Sequence, residues 1–251
     1  PPQDAPYKVD IHNEIYQQPA TKVTTDGFCT GDEVGLYLVN YDGETPGTLK
    51  VEDNQADNVR FTYDENGNWV SEYDIFYKDN ETNVDFYAYY PYDESGAPAS
   101  YFQVEDQSQG IGTADFMMAS KKGVLPTPNA VTMVFKHMMT KLVINIDNQS
   151  GAEVEKVEVM SAAHGVDLDY ENMALANVDG KTVFRIAPQK AATGLLPFSS
   201  KVDLTAEQAA SVNTLAYYVS NELGSDLEVG LQYYGTNGTY NAFLGNGYVY
   251  L

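Results

Sequence analysis

Apolar and polar residues alternate along many segments of the chain. Near its start, Tyr7, Val9 and Ile11 alternate with polar neighbours, and the same period of two recurs over 84–90 and 227–233. Successive side chains of a β-strand point to opposite faces of a sheet, so this pattern predicts strands with one buried face. The alternation therefore favours an all-β fold.

Asn-Gly pairs between strand-like runs predict tight hairpin turns, because both residues tolerate positive φ. Across the first pair we expect Phe61–Tyr63 to pair with Trp69–Ser71. Across a later pair we expect Leu227–Tyr234 to pair with Thr239–Phe243. These turns add two hairpins to the all-β prediction.

Two segments depart from simple alternation. A threonine cap with Gln208 three residues later predicts one short helix over Thr205–Asn213. The run Val131–Ile146 is rich in β-branched residues, and we interpret it as strand. Lys136-His137 should mark the entry into its second half, with Leu142, Ile144 and Ile146 on one face.

The length of 251 residues favours two domains. The best linker candidate is Ser120–Asn129, which contains two prolines and a glycine. We therefore predict an N-terminal β-sandwich over residues 1–128 and a C-terminal β-sandwich over residues 129–251.

The chain carries a formal net charge of −22. Such a chain is repelled by phosphate, which argues against nucleic-acid binding and against anionic lipid. No run of about 18 apolar residues occurs, so we expect no membrane span in this chain. Solubility outside the cell is the favoured explanation of this charge.

Catalytic and metal-binding motifs are missing from the sequence. No G-x-S-x-G, H-E-x-x-H or C-x-x-C occurs, and His12, His137 and His164 share no ligand spacing. Residues 64–68 open like a calcium loop, but the sixth position is Trp69 where glycine is needed. Cys29 is expected to be a small apolar filler. We therefore predict no enzyme activity, no metal and no cofactor.

Aromatic residues offer one candidate binding surface. The chain has 20 tyrosines, several of them crowded into one strand. Exposed rings can stack on sugars or anchor a partner, whereas tyrosine in strands commonly serves cross-strand packing. Packing is the more common role, and the candidate ligand contacts are Trp69, Tyr87, Tyr89 and Tyr92.

Four stretches resemble the fimbrillin family of Bacteroidetes, including its fimbrillin-like adhesins. They occur in the family's order within residues 20–146, and together they are more specific than any one alone. They are Phe28–Tyr37 (FCTGDEVGLY), Asn83–Tyr92 (NVDFYAYYPY), Asp115–Ala119 (DFMMA) and Val134–Ile146 (VFKHMMTKLVINI).

The resemblance implies two transthyretin-like β-sandwich domains in tandem. It also implies export as a lipoprotein precursor to the outer membrane and a place in surface fimbriae, without catalytic residues or a required cofactor. In polymerising members a protease removes an N-terminal strand, and a strand of the next subunit fills the groove. Here the N-terminal assembly strand would carry Tyr7, Val9 and Ile11.

The sequence departs from arginine-specific maturation. Its only arginines are Arg60 and Arg185, and neither lies between the first strand and the Phe28 motif. Either another protease acts, for instance after Lys22, or the chain is a non-polymerising tip or anchor member. The donor strand would be the C-terminal segment Tyr248, Val249, Tyr250 and Leu251.

The first hypothesis is a structural subunit or tip adhesin of fimbriae that acts in cell adhesion. Its partners would be other fimbrial subunits and a host or bacterial surface protein or glycan. The alternative is a carbohydrate-binding surface lipoprotein module that uses Trp69 and the tyrosines.

Overall fold

The computed structural model describes residues 5–16, 27–102, 105–106, 115–148, 154–186, 193–202, 215–221, 226–231 and 239–244. Within these ranges every regular element is a strand, which confirms the all-β class. The expected helix over Thr205–Asn213 lies outside the described residues. The strands are β1 Ile11–Ile15, β2 Glu33–Asn40, β3 Ala56–Tyr63, β4 Trp69–Ser71, β5 Val84–Tyr90, β6 Ser100–Tyr101, β7 Met117–Val124, β8 Val131–His137, β9 Thr140–Asn148, β10 Val154–Asp169, β11 Ala174–Ile186, β12 Gly194–Val202, β13 Leu215–Asn221, β14 Asp226–Leu231 and β15 Thr239–Leu244.

Two compact units make up the chain. The first takes in the described parts of Pro1–Ala99, Phe116–His137 and Leu168–Ala174, and the second takes in the described remainder. This division differs from the expected boundary between residues 128 and 129, because β8 pairs with β1 and β7 of the first unit. The expected linker Ser120–Asn129 also differs, since its first five residues continue β7.

The first unit is built on one seven-stranded sheet, ordered β1-β8-β7-β5-β2-β3-β4. The pairing of β1 with β8 is parallel, and the neighbouring pairs from β8 to β4 are antiparallel. The two end strands, β1 and β4, come into contact with each other, so the sheet curls towards closure. The core lies inside this curl and includes Leu36, Phe61, Phe86, Met133 and Phe135.

The outer face of the central strands is also covered. All residues of Val84–Tyr89 are buried, although alternation predicted only one buried face. Tyr87 and Tyr89 fill this second layer, where Tyr89 stacks on Phe116 at 6.4 Å between ring centroids. The first unit therefore buries both faces of its central strands, and the polar-looking side of the pattern is occupied by tyrosines.

The second unit contains two smaller sheets. One has the order β11-β10-β13-β14, with β6 paired to β10, and the other has the order β12-β9-β15. Since β14 pairs with β13 and β15 pairs with β9, the predicted hairpin between Leu227–Tyr234 and Thr239–Phe243 is wrong. The partner of β15 comes from distant sequence, which local turn signals do not reveal.

The other predicted hairpin is confirmed. Phe61 pairs with Ser71, and Tyr63 pairs with Trp69. The run Val131–Ile146, by contrast, is not continuous strand, because β8 ends at His137 and β9 begins at Thr140. The break follows from pairing, since β8 belongs to the seven-stranded sheet and β9 lies between β12 and β15.

Candidate assembly interface

The first strand forms one end of the seven-stranded sheet. It lies parallel to β8 in a register that places Ile11 beside Val131 and Ile15 beside Phe135. Backbone bonds flank this pairing, with the Val131 N–H donating to the Asp10 carbonyl at 2.8 Å and the Tyr16 N–H donating to the Phe135 carbonyl at 2.7 Å. A strand at the end of a sheet has one neighbour in the ladder, so β1 can leave without disturbing other pairings.

The residues just before β1 extend its pairing to another segment. The Val9 N–H donates to the Ile75 carbonyl at 2.8 Å, and the Tyr77 N–H donates to the Tyr7 carbonyl at 3.0 Å. Residues 7–15 are therefore held by two different stretches of the first unit.

The inward side chains of this N-terminal segment reach the core. Val9 is 1% exposed and Ile11 is 3% exposed, while Tyr7 packs against the same cluster. Their burial follows the predicted alternation, and their role in assembly stays a prediction. Burial of apolar surface is the main stabilising contribution of such a strand. Loss of the strand would leave an apolar groove beside β8.

Asn13 is the next inward residue, and sequence reasoning did not single it out. It is 6% exposed, and neither its Oδ1 nor its Nδ2 meets a hydrogen-bond partner among the described residues. The signal was available in the sequence, since a period of two from Val9 and Ile11 reaches this asparagine. The strand thus carries a polar group on its apolar face.

A cleft of about 500 Å³ adjoins the end of β1. Its walls combine aromatic rings, aliphatic groups and the amide of Asn13. The lining residues are Asn13, Glu14, Ile15, Tyr16, Gly27, Phe28, Tyr63 and Val134. The cleft leaves open space beside the end of the strand, next to both inward and outward residues.

Phe28 anchors the chain next to this cleft. Its ring meets Trp69 edge-on at 4.9 Å and Phe135 at 5.4 Å between centroids. Such edge-to-face pairs contribute stability beyond the buried area. Phe28 therefore links β8, the pairing partner of β1, with β4, the strand at the other end of the curled sheet.

Cys29 follows Phe28 and is exposed, so its expected role as a buried apolar filler is wrong. It lies in a turn rather than in a strand. Its N–H donates to the Asp32 carboxylate at 2.6 Å, and the Asp32 N–H donates back to the Cys29 carbonyl at 2.9 Å. These two hydrogen bonds close a turn in which the Cys29 side chain is exposed.

The four aromatic residues suggested as ligand contacts lie in three settings. Trp69 is buried in the core of the first unit, and Tyr87 and Tyr89 are buried on the outer face of β5. Tyr92 is half-buried, with the Arg60 guanidinium 5.6 Å from its ring centroid. The rings do not form one exposed stacking surface, so this set does not support the carbohydrate-binding alternative.

Burial also changes the acidity of these tyrosines. Desolvation raises the pKa of Tyr87, and the Asp85 carboxylate raises it further. Desolvation likewise raises the pKa of Tyr89, against a lowering by its hydrogen bond with the Asp93 backbone. Both hydroxyls therefore stay protonated at neutral pH and serve as structural hydrogen-bonding groups.

The remaining assembly residues from the sequence fall outside the described residues. They are Lys22, Tyr248, Val249, Tyr250 and Leu251. The preceding segment Thr239–Leu244 forms β15, which runs parallel to β9 at the end of the three-stranded sheet. A terminal strand in parallel pairing thus occurs near each end of the chain.

Neither a metal-ligating cluster nor a membrane-spanning helix occurs within the described ranges. No group of three or more histidine, cysteine, aspartate or glutamate residues is placed there to hold a metal ion. No helix long and apolar enough to cross a membrane is found in the described part of the chain.

Solved structures share this fold. A candidate cell adhesion protein from Bacteroides ovatus matches with a TM-score of 0.69 at 16% identity, covering 98% of this chain and 95% of its own. One from Bacteroides uniformis matches with a TM-score of 0.65 at 19% identity, covering 95% and 94%. One from Bacteroides fragilis matches with a TM-score of 0.53 at 13% identity, covering 97% and 95%.

These matches show that the all-β fold of this chain is shared over nearly its whole length. The family model described as fimbrillin-like matches residues 21–244. The chain therefore belongs to the fimbrillin-like family, as the four sequence stretches indicated. No curated protein sequence matches it.

Proposed function

We propose that this protein is a structural subunit or tip adhesin of cell-surface fimbriae, and that it assembles by exchange of β1. The observation that carries the proposal is the position of β1 as an end strand in parallel pairing, with Ile11 of the strand and Val9 just before it buried in the core. Family membership supports the fimbrial setting.

Departure of β1 creates a site that accepts another strand. It would unpair the backbone groups of β8 that β1 now bonds and would uncover the apolar side chains of Val131, Met133 and Phe135. An unpaired edge above an apolar groove is unstable in water, and an added strand restores both the ladder and the burial. The partner is therefore another fimbrial subunit, identical or related.

The ends of the chain supply the other parts of this proposal. Cleavage after Lys22 would separate residues 1–22 from the first unit. The donor would be Tyr248–Leu251 of a neighbouring subunit, extending from the end strand β15. At a fimbrial tip the same fold would contact a host or bacterial surface protein or glycan.

Family membership supports a wider setting for this proposal. We propose an exported lipoprotein precursor, delivered to the outer membrane and displayed on the cell surface, with transthyretin-like topology in both units. The protein acts by binding, without catalysis and without a cofactor.

Cleavage of the folded, full-length protein tests this function. A recognition sequence for a site-specific protease would be inserted after Lys22 and cut once the chain has folded. Size-exclusion chromatography should then show oligomers, and deletion of residues 244–251 should abolish them. A stable monomer after cleavage, or oligomers that ignore the deletion, would contradict strand exchange through these segments.

A further inference from the structure

One inward position of β1 is polar in an otherwise apolar setting. This position is Asn13. Its neighbours on the same face of β1 are Ile11 and Ile15, and its register partner on β8 is Met133, which is fully buried. The amide of Asn13 is more than nine-tenths buried and has no hydrogen-bond partner among the described residues. A buried amide without a partner loses its bonds to water and gains none in return.

The strand β4, which contacts β1 where the sheet curls, has a related feature. Trp69 of β4 is buried, and its Nε1–H also lacks a partner among the described residues. Among the described residues, neither of these two groups forms a hydrogen bond across the contact between β1 and β4.

The free-energy cost of burying the Asn13 amide without a partner weakens β1 specifically. The five inner strands of the sheet are paired on both sides, whereas β1, like β4 at the other end, has one partner in the strand order. Opening of β1 returns the amide to water, so the amide favours the open form. The same residue in a central strand would weaken the whole unit instead.

We propose that Asn13 is the residue that sets how readily β1 leaves the sheet, and that an exchanging strand replaces it with an apolar side chain at this level. The proposal rests on the strand-exchange function above. It adds a specific position that makes the resident strand weaker than its replacement.

The cleft supports the second half of this proposal. Asn13 shares its walls with Ile15, Phe28 and Tyr63, whose apolar groups leave open volume on one side of a cleft of mixed polar and apolar lining. An apolar residue larger than asparagine at this level would bury surface that the resident strand leaves open. An incoming strand therefore gains contacts that β1 does not make.

Two substitutions in the full-length protein test the position. Asn13→Leu keeps the number and branching of the side-chain heavy atoms while it replaces the buried amide with larger methyl groups, and Asn13→Ala removes the amide without added bulk. His12→Leu is the matched control, since His12 lies next to it on the exposed face of the same strand. Hydrogen exchange is measured over residues 7–16 and 131–137.

Asn13→Leu should slow exchange in both segments by about fivefold or more, as expected when a buried unpaired polar group is removed. Asn13→Ala should also slow it, and His12→Leu should change it less than about twofold. Unchanged or faster exchange in both Asn13 variants would overturn the inference.

Oligomer formation after cleavage of the same variants separates the two proposals. Slower exchange together with slower oligomer formation is the expected result. Slower exchange with an undiminished rate of oligomer formation would keep Asn13 as the weak position of β1 and would overturn strand exchange as the assembly step.

Discussion

Single residues explain why the first family stretch has its pattern. Phe28 packs its ring between Trp69 and Phe135, Gly31 adopts a φ of 93°, and the Asp32 carboxylate accepts the Cys29 N–H and the Tyr90 hydroxyl. Gly35 of β2 lies under the ring of Tyr89. These residues form a recognisable motif in the sequence, but their contacts depend on the pairing of β2 with β5, which the sequence does not show.

Gly35→Ala should destabilise the first unit by about 1–3 kcal/mol, as overpacking of a filled interior does. The added Cβ would lie closer than a van der Waals contact to Tyr89 Cε1 and to Asn58 Oδ1 at 2.7 Å. Gly27→Ala is the control, because no atom of the described residues beyond its chain neighbours lies within 4 Å of its Cβ position. Equal unfolding midpoints for the two variants in urea would contradict the close packing.

Tyr89 provides a pH test at the same scale. Its hydroxyl donates to Asn58 Oδ1 at 2.7 Å and accepts the Asp93 N–H at 3.2 Å. Desolvation raises the pKa of Tyr89 above that of an unfolded tyrosine. The protonated Tyr89 hydroxyl therefore makes its full contribution to the stability of the folded state below about pH 10, and this contribution is lost as the pH rises further.

We expect Tyr89→Phe to lower the free energy of unfolding at pH 7 by about 1–3 kcal/mol through lost hydrogen bonds. Between pH 10 and the alkaline unfolding transition, the variant should lose stability less steeply than the parent protein. Urea titrations at several pH values measure both slopes. Parallel slopes would show that ionisation of Tyr89 does not oppose folding.

Among the elements, those defined by neighbouring sequence were predictable. The β3–β4 hairpin formed as expected, since Gly67 takes a φ of 82° and the Asp64 carboxylate accepts the N–H groups of Asn66 and Asn68. The hairpin proposed for β14 and β15 failed because β14 pairs with the preceding strand β13, whereas β15 pairs with β9 in a distant part of the sequence. Turn chemistry identifies local pairs, but it carries no information about pairing across a hundred residues.

Asp64→Ala should weaken the β3–β4 hairpin. The Asn68 N–H is the main group that lowers the pKa of Asp64, with the Asn66 N–H contributing in the same direction. A lowered pKa means that the stabilisation is present above the ordinary carboxyl range and is lost as the pH falls through the folded-state value.

The variant should therefore unfold at lower urea concentration than the parent at pH 7, with the difference shrinking in acid. Glu65→Ala is the control, being the exposed neighbour in the same turn. A difference that stays constant from pH 7 into acid would show that the Asp64 charge does not hold the turn.

At the scale of the whole molecule, the sequence predicted an all-β chain and its family but not its division. β8 precedes the break at residues 138–139 and joins the first unit through β1, a pairing between strands more than a hundred residues apart. Alternation also predicted the inward face of β1. It could not show that β1 occupies the end of the sheet, which depends on how all seven strands are ordered.

A reversible lock on β1 tests the exchange of this strand most directly. His12 and Thr132 are register partners on β1 and β8, and neighbouring strands lie about 4.8 Å apart, within the range that a disulfide spans. The double variant His12→Cys, Thr132→Cys would be made with Cys29→Ser, and cleaved after residue 22 in its oxidised form.

We expect the oxidised protein to remain monomeric after cleavage, because the disulfide retains β1 in its groove. Addition of reductant to the same sample should release the strand and produce oligomers in size-exclusion chromatography. Oligomers that form equally well with the disulfide intact, or a monomer that persists after reduction, would contradict assembly through the exchange of β1.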